Sequence, residues 1–287
     1  MSARSYLFVP ADSDRKLEKS RGADADALII DLEDSVTPEQ KPAARQRAHD
    51  FLQGRGGLSA ELWVRINPLD TEDALADLVA IVPAGPDGIV LPKMQSVAEL
   101  IRLANYLDAL EVQHDVAPRS IAMLPIVTET PTALFALDDL EFAGSRLSAL
   151  TWGAEDLATA IGATTNRMDD GSWSAPFELA RSLCLFAASA AELAAVDTLC
   201  ADFSDDLALR SSCQQARRDG FAGKLAIHPR QVPIINECFT PSETELARAK
   251  AIVELFEANP GQAALSLDGQ MVDIPHLRQA QRLLERA

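Results

Sequence analysis

Several kinds of chemistry are missing from this sequence. Lysine and arginine never gather into a run, and 26 of them face 43 aspartates and glutamates, for a formal charge of -17. A nucleic-acid partner needs a basic face, so none is expected. A few basic residues can still be focused on a small anionic ligand. No stretch approaches the ~20 apolar residues of a membrane-spanning helix, and the apolar run in MSARSYLFVPADS is too short for a signal peptide. The four cysteines, Cys184, Cys200, Cys213 and Cys238, form no CxxC pair. That argues against structural zinc and fits inert thiols in a reducing cytoplasm. There is no GxSxG, and no cysteine stands beside a histidine at a strand end. A soluble cytoplasmic protein without an obvious nucleophile is expected.

What the chain does have is core: 287 residues, 47% hydrophobic, enough for one large domain with or without an appendage. Short apolar runs alternate with amphipathic helical patterns. The runs predict strands over 5–9, 27–32, 62–67, 88–92, 121–128, 149–153, 195–199 and 224–228. Most are rich in Val, Ile and Leu without strict alternation, as parallel strands buried on both faces should be. Helices are predicted over 38–52, 96–110, 176–193 and 205–218. Eight strands with intervening helices match a TIM (β/α)8 barrel. A doubly wound dinucleotide-binding sheet would want GxGxxG after its first strand, and LFVPADSDR has no glycine there. The barrel therefore spans 1–240. Residues 241–287 exceed what it needs and read as a C-terminal helical lid and oligomerisation arm. The arm opens on a capping box at Ser242 and Glu245 and ends on a helix from about Pro275. Leu246, Ala249, Ile252, Val253 and Phe256 make an apolar stripe that must be buried somewhere.

Four of the buried runs end in charge. ALIIDLED ends on Asp31, Glu33 and Asp34, LWVRIN on Arg65, IAMLPIVTETP on Glu129, and ALTWGAED on Glu155 and Asp156. In a barrel, the C-terminal strand ends build the active site, so Glu129 and Asp156 can converge across the sequence. Two carboxylates suit Mg²⁺, which takes oxygen ligands and keeps positions open for substrate; Mn²⁺ fits as well. Each residue also has a plainer role open to it. Glu129 could cap a helix opening at Pro131, Asp156 could cap DLATAI, and Asp273 could cap the last helix. Arg65 could be an ion-pair partner, and His228 could bond backbone. The three acids around Asp34 could pair with Lys41, Lys93 or Arg65. Lys93, closing GIVLPK, could form a Schiff base, although an ion pair is the simpler reading.

The segments RSYLFVPADSDRKLEKS, ADALIIDLEDSVTPEQKPAAR, VRIN, GIVLPK, TETP, WGAEDLA, GKLAIHPRQV and GQMVDIPHLRQA resemble, in order, the citrate lyase beta subunit-like (HpcH/HpaI aldolase) family, which includes malyl-CoA and citramalyl-CoA lyases. The resemblance implies a TIM barrel that breaks or forms carbon–carbon bonds in CoA thioesters with Mg²⁺. It implies that Glu129 and Asp156 hold the metal, that Glu129 also lies by the substrate, and that Arg65 binds the keto-acid oxygens. It implies that Phe8 and Lys19 contact CoA, and that Ile227 and His228 lie by the substrate. Asp34 joins Arg65 and Asp273 as a catalytic candidate. Asp273 matches an aspartate on a lid that reaches a neighbouring subunit, so a homo-oligomer, a trimer or dimer of trimers, is expected. The chain departs from the family at ADSD, where relatives carry a glycine. Thioester hydrolysis, and a beta-type subunit working with an acyl carrier protein, stay open as alternatives to a self-sufficient lyase.

Overall fold

The structure, a computed structural model, describes residues 3–138, 140 and 144–285; every candidate residue named above lies within them. Eight parallel strands form one sheet: β1 (Ser5–Pro10), β2 (Ala27–Asp31), β3 (Glu61–Arg65), β4 (Gly88–Leu91), β5 (Ala122–Pro125), β6 (Ala149–Thr151), β7 (Ala194–Asp197) and β8 (Gly223–Ala226). Their order is β5-β4-β3-β2-β1-β8-β7-β6. The two ends meet through parallel bridges from Met123 to Leu147 and from Ile126 to Thr151, with Val127 N–H donating to Thr151 O at 2.9 Å. The sheet therefore closes into the expected TIM barrel. Between and after the strands run α1 (Asp14–Ser20), α2 (Lys41–Gln53), α3 (Glu72–Ile81), α4 (Val97–Gln113), α5 (Pro131–Leu134), α6 (Glu155–Ile161), α7 (Ala175–Ala190), α8 (Asp206–Asp219) and α9 (Gln231–Phe239). The helix expected from Pro38 starts with one 3-10 turn, Pro38–Gln40, because the proline supplies φ without needing an N–H partner.

Strand alternation sorts the side chains into two layers. Tyr6, Ile29, Trp63, Val90, Leu124, Val196 and Leu225 fill the barrel interior. Their neighbours, such as Leu7, Leu28, Ile30, Leu62 and Val64, pack outward against the helices. The same alternation decides the two strand ends that matter below. Asp31 and Arg65 lie two residues beyond Ile29 and Trp63, so they point inward. Asp197 and Lys224 each adjoin an interior residue, Val196 and Leu225, so they point outward.

After the barrel come α10 (Glu243–Ala258), a hairpin of β9 (Ala264–Leu267) and β10 (Gln270–Asp273), and α11 (Ile274–Glu285). The capping box at Ser242 and Glu245 is present. Asp268 and Gly269, at φ 50° and 77°, provide the two left-handed residues of a tight hairpin turn. From the predicted stripe, Ala249, Ile252 and Phe256 are buried, together with Val272 and Ala280, in a small core of the arm's own. The arm stays close to the N-terminal end of its own barrel. A cleft of about 1600 Å³ there is lined by Arg4, Asp26 and Glu61 at the strand starts, and by His276 and Arg278 of α11. Among the described residues no helix is long and apolar enough to cross a membrane.

Candidate active site

The charged strand ends do converge, at the C-terminal mouth of the barrel. Arg65, ending β3, is held by Asp31 through two parallel bonds, Nε to Oδ1 and Nη2 to Oδ2, each 2.7 Å. Its Nη1 lies 2.8 Å from Glu33 Oε2. The guanidinium rests over the Phe8 ring at 4.8 Å. Burial alone would lower the pKa of Arg65, but Asp31, Glu33 and Glu129 outweigh it and push it up, so Arg65 is a permanent cation at the mouth. Burial likewise opposes the charge of Asp31, and Arg65 overcomes it and holds this carboxyl below its ordinary value. Arg65 is thus an ion-pair partner, and it is also aimed at the mouth. Two of its five N–H donors go to Asp31 and one faces Glu33, leaving others for a ligand.

Glu129 follows β5 and is 4% exposed. It does not cap α5; Thr130 does, accepting from Ala133 N–H at 3.2 Å. Instead Glu129 Oε2 accepts from the Lys93 N–H at 2.6 Å. Burial, then the charges of Asp156 and Glu33, push its carboxyl well above the ordinary carboxylate range, against the pull of the Lys93 N–H and Arg65. The space for it depends on Gly153: a Cβ there would stand 2.6 Å from Glu129 Cγ and 2.9 Å from Oε1. Asp156 sits in the first turn of α6, whose cap residue is Ala154 with no side-chain bond. Its carboxylate is free to face the mouth, where Lys93 Nζ lies 3.5 Å from Oδ1.

Lys93 ties these groups together. Its Nζ contacts Glu33 and lies 2.8 Å from Asp34 Oδ2. Asp34 is more than half exposed and, among the described residues, has Lys93 as its ion-pair partner. Lys41, one of the partners expected for these acids, goes elsewhere, to Asp73 and Asn67. Strand alternation puts Glu33 on the same side as Asp31, and there it bridges both cations of the mouth, Arg65 and Lys93.

The remaining candidates are spread more widely. Ile227 and His228 follow β8, and Gln231 Oε1 accepts from both backbone N–H groups, at 2.9 and 3.2 Å. The His228 ring stacks on Phe203 at 4.9 Å. Its Nδ1 accepts from Arg230 N–H at 3.1 Å, which leaves Nε2 to carry the proton of the neutral ring. Lys19 is exposed in the last turn of α1. Asp273 ends β10 and contacts His276 Nδ1 at 2.5 Å. It also accepts, at 3.4 Å, from the His276 N–H in the first turn of α11, so the plain capping role read for it is present. The His276 contact draws its carboxyl below the ordinary value. Since His276 lines the cleft at the strand starts, Asp273 belongs to the opposite end of its own barrel from Glu129.

Among the described residues no three His, Cys, Asp or Glu side chains form a ready metal cage. The mouth instead offers two carboxylates, one of them desolvated, among acids that outnumber the local cations. Such a site has room for a hard cation and for an oxygen-rich ligand that completes its shell.

Comparisons with known proteins agree with the barrel fold. The family model for HpcH/HpaI aldolase/citrate lyase matches residues 4–229, and a model for a C-C bond lyase of the TIM-barrel fold matches 182–287. A (3S)-malyl-CoA thioesterase of Cereibacter sphaeroides (strain KD131 / KCTC 12085) is 36% identical, over 99% of this chain and 94% of the relative. Citrate lyase subunit beta of Leuconostoc mesenteroides subsp. cremoris is 32% identical, over 99% of this chain and 93% of the relative. The crystal structure of CitE from Mycobacterium tuberculosis in complex with magnesium, acetoacetate and coenzyme A superposes with a TM-score of 0.79, at 32% identity, covering 100% of this chain and 98% of the other. With fold and sequence in agreement, the chain belongs to the HpcH/HpaI aldolase/citrate lyase family and is a carbon–carbon lyase of the citrate lyase beta type.

Proposed function

We propose that this protein cleaves, or in reverse forms, a 3-hydroxyacyl-CoA whose C3 also carries a carboxylate, such as malyl-CoA, citramalyl-CoA or citryl-CoA. The products are a 2-keto acid and an acyl-CoA. The observation that carries the reading is the desolvated Glu129 beside Asp156, with the fixed cation Arg65 across the mouth. A buried carboxyl pushed up by burial and by a second carboxylate is a group short of positive charge. The donor set is oxygen only, and Gly153 keeps the space open. Glu129 and Asp156 would therefore hold Mg²⁺, with Mn²⁺ meeting the same donors. The ion's contribution is Lewis-acid polarisation of the substrate's hydroxyl and carboxylate oxygens. CitE, 32% identical, binds magnesium, acetoacetate and coenzyme A, and this supports carrying magnesium and coenzyme A over to the present chain.

The residues divide the remaining work. Arg65, its plane set by Asp31 and Phe8, places charge and N–H donors beside the oxygen that becomes the keto-acid carbonyl. Asp31 and Glu33 keep that guanidinium from turning. Asp34 acts through Lys93, at the exposed rim. Ile227 and His228 flank the substrate at the β8 end, while Phe8 and Lys19 lie on the first strand–helix unit, toward the CoA. In condensation Asp273, a carboxylate beside His276, takes a proton from C2 of the acyl-CoA; in cleavage the hydroxyl's proton leaves to solvent, and the Asp273 carboxyl, protonated from solvent, gives its proton to C2 of the enolate. Because Asp273 lies at the far end of its own barrel, it serves the mouth of a second copy. Residues 1–240 are then the catalytic barrel, and 241–287 the lid and oligomerisation arm of a homo-oligomer, a trimer or dimer of trimers. Four free cysteines suit a reducing cytoplasm.

Purified protein with Mg²⁺ should convert malyl-CoA to acetyl-CoA and glyoxylate, or citramalyl-CoA to acetyl-CoA and pyruvate. The 36%-identical thioesterase relative favours hydrolysis as the second reading, and free CoA without acetyl-CoA would establish it. Inactivity without an acyl carrier partner would favour a subunit role. Mixing Asp273→Ala with Arg65→Ala chains should restore part of the activity, because mixed oligomers contain intact composite sites. No recovery despite confirmed subunit exchange would overturn the role of Asp273 in trans.

A further inference from the structure

Lys93 touches both proposed metal ligands, yet the chemistry above gives it no part of its own. It stands at φ 50°, in the left-handed region that a residue with a side chain keeps only when its surroundings hold it there. That turn aims its N–H at Glu129 Oε2, 2.6 Å away. The side chain crosses the mouth, where Nζ meets Glu33, Asp34 Oδ2 at 2.8 Å and Asp156 Oδ1 at 3.5 Å.

The two contacts differ in kind. An N–H bonded to Glu129 leaves that carboxylate other lone pairs for a metal ion, so this contact orients the ligand without blocking it. A cation beside Asp156 competes with a divalent ion for the same oxygen. The Asp156 contact is also the longest of the ammonium's three, and Glu33 and Asp34 hold Nζ without it. The ammonium can leave Asp156 and stay paired.

We propose that Lys93 is a positioning residue that sets the divalent-cation affinity of the mouth. Its left-handed backbone holds Glu129 in place, and its ammonium occupies Asp156 until a metal ion displaces it toward Glu33 and Asp34. This inference rests on the metal-binding reading of Glu129 and Asp156.

Mn²⁺ titration of the purified full chain, followed by electron paramagnetic resonance or calorimetry at fixed pH and salt, separates the two. Lys93→Met removes the ammonium and should bind Mn²⁺ about tenfold more tightly than the native chain. Lys93→Gly suits a positive φ without strain and should show the same gain. Lys93→Val, whose β-branched side chain resists that backbone, should bind several-fold more weakly than Lys93→Met. Where a single neutral variant folds poorly, Lys93→Met combined with Asp34→Asn removes one charge of each sign. It should bind more tightly than Asp34→Asn alone. A native chain that binds no Mn²⁺ would overturn the metal reading itself. A native chain that binds it, with Lys93→Met equal or weaker, would overturn the role given to Lys93.

Discussion

Two groups of charged side chains lie at strand ends of this barrel, and they are built on opposite plans. One lies between the barrel and its outer helices. Asp197, 2% exposed, accepts from Lys224 Nζ at 2.6 Å, Trp152 Nε1 at 2.8 Å and Arg181 Nε at 3.3 Å. Arg181 also reaches Asp219 at 2.7 Å, so acids and cations balance. The other group is the mouth, where Asp31, Glu33, Asp34, Glu129 and Asp156 face Arg65 and Lys93. There Glu33 Oε2 is buried without an aligned hydrogen bond. Burial opposes charge in both places. Lys224 and Arg181 overcome it for Asp197, whose carboxyl stays below its ordinary value. For Glu129 nothing does, and its carboxyl rises. A closed network completes itself; a network with acid to spare has room for a cation from outside.

The contrast is broken most directly at Glu129. Glu129→Gln should lower turnover of the CoA ester by about 10³-fold, roughly 4 kcal/mol. Its melting temperature without metal should be unchanged or higher, because burial already disfavours the charged form. A melting temperature several degrees lower, with turnover intact, would make Glu129 structural.

Asp197→Asn should do the reverse. It leaves Lys224 and Arg181 buried with too little negative charge, at a cost of about 3 kcal/mol in denaturant unfolding. The Asp197→Asn protein that remains folded should turn over normally. The pH dependence follows from the depressed pKa of Asp197. Its contribution is fully present above the ordinary carboxylate value of about 4, and is lost as pH falls through the lower folded value. The stability gap between native and Asp197→Asn protein should therefore shrink only in strong acid. A gap that closes near neutral pH would assign it to another group.

Gly153→Ala is the finer test. Its new Cβ would stand 2.6 Å from Glu129 Cγ, so the carboxylate must move. Mn²⁺ affinity should fall about tenfold, and stability should drop by about 1 kcal/mol from overpacking. Unchanged affinity would show that Glu129 is not held where it ligates.

Much of this was legible in the sequence. Short Val/Ile/Leu runs separated by amphipathic segments specify buried parallel strands and covering helices, because local hydrophobic periodicity is what those elements respond to. The charged ends of those runs marked Arg65, Glu129 and Asp156, because the C-terminal strand ends of a barrel gather at one mouth. Ser242 and Glu245 marked the start of α10 through their own local bonds. Tertiary structure alone decided which acid meets which cation. Lys41 and Lys93 look alike in sequence, yet the place of β4 beside β5, with only β3 between it and β2, gives Lys93 to Glu33, Asp34 and Glu129, while Lys41 turns to Asp73. The direction of the arm was undecided for the same reason. Its apolar stripe requires burial but does not say against what, and only packing places His276 and Asp273 at the strand starts, away from their own mouth. Local pattern determines what a residue needs; the closed barrel determines who supplies it.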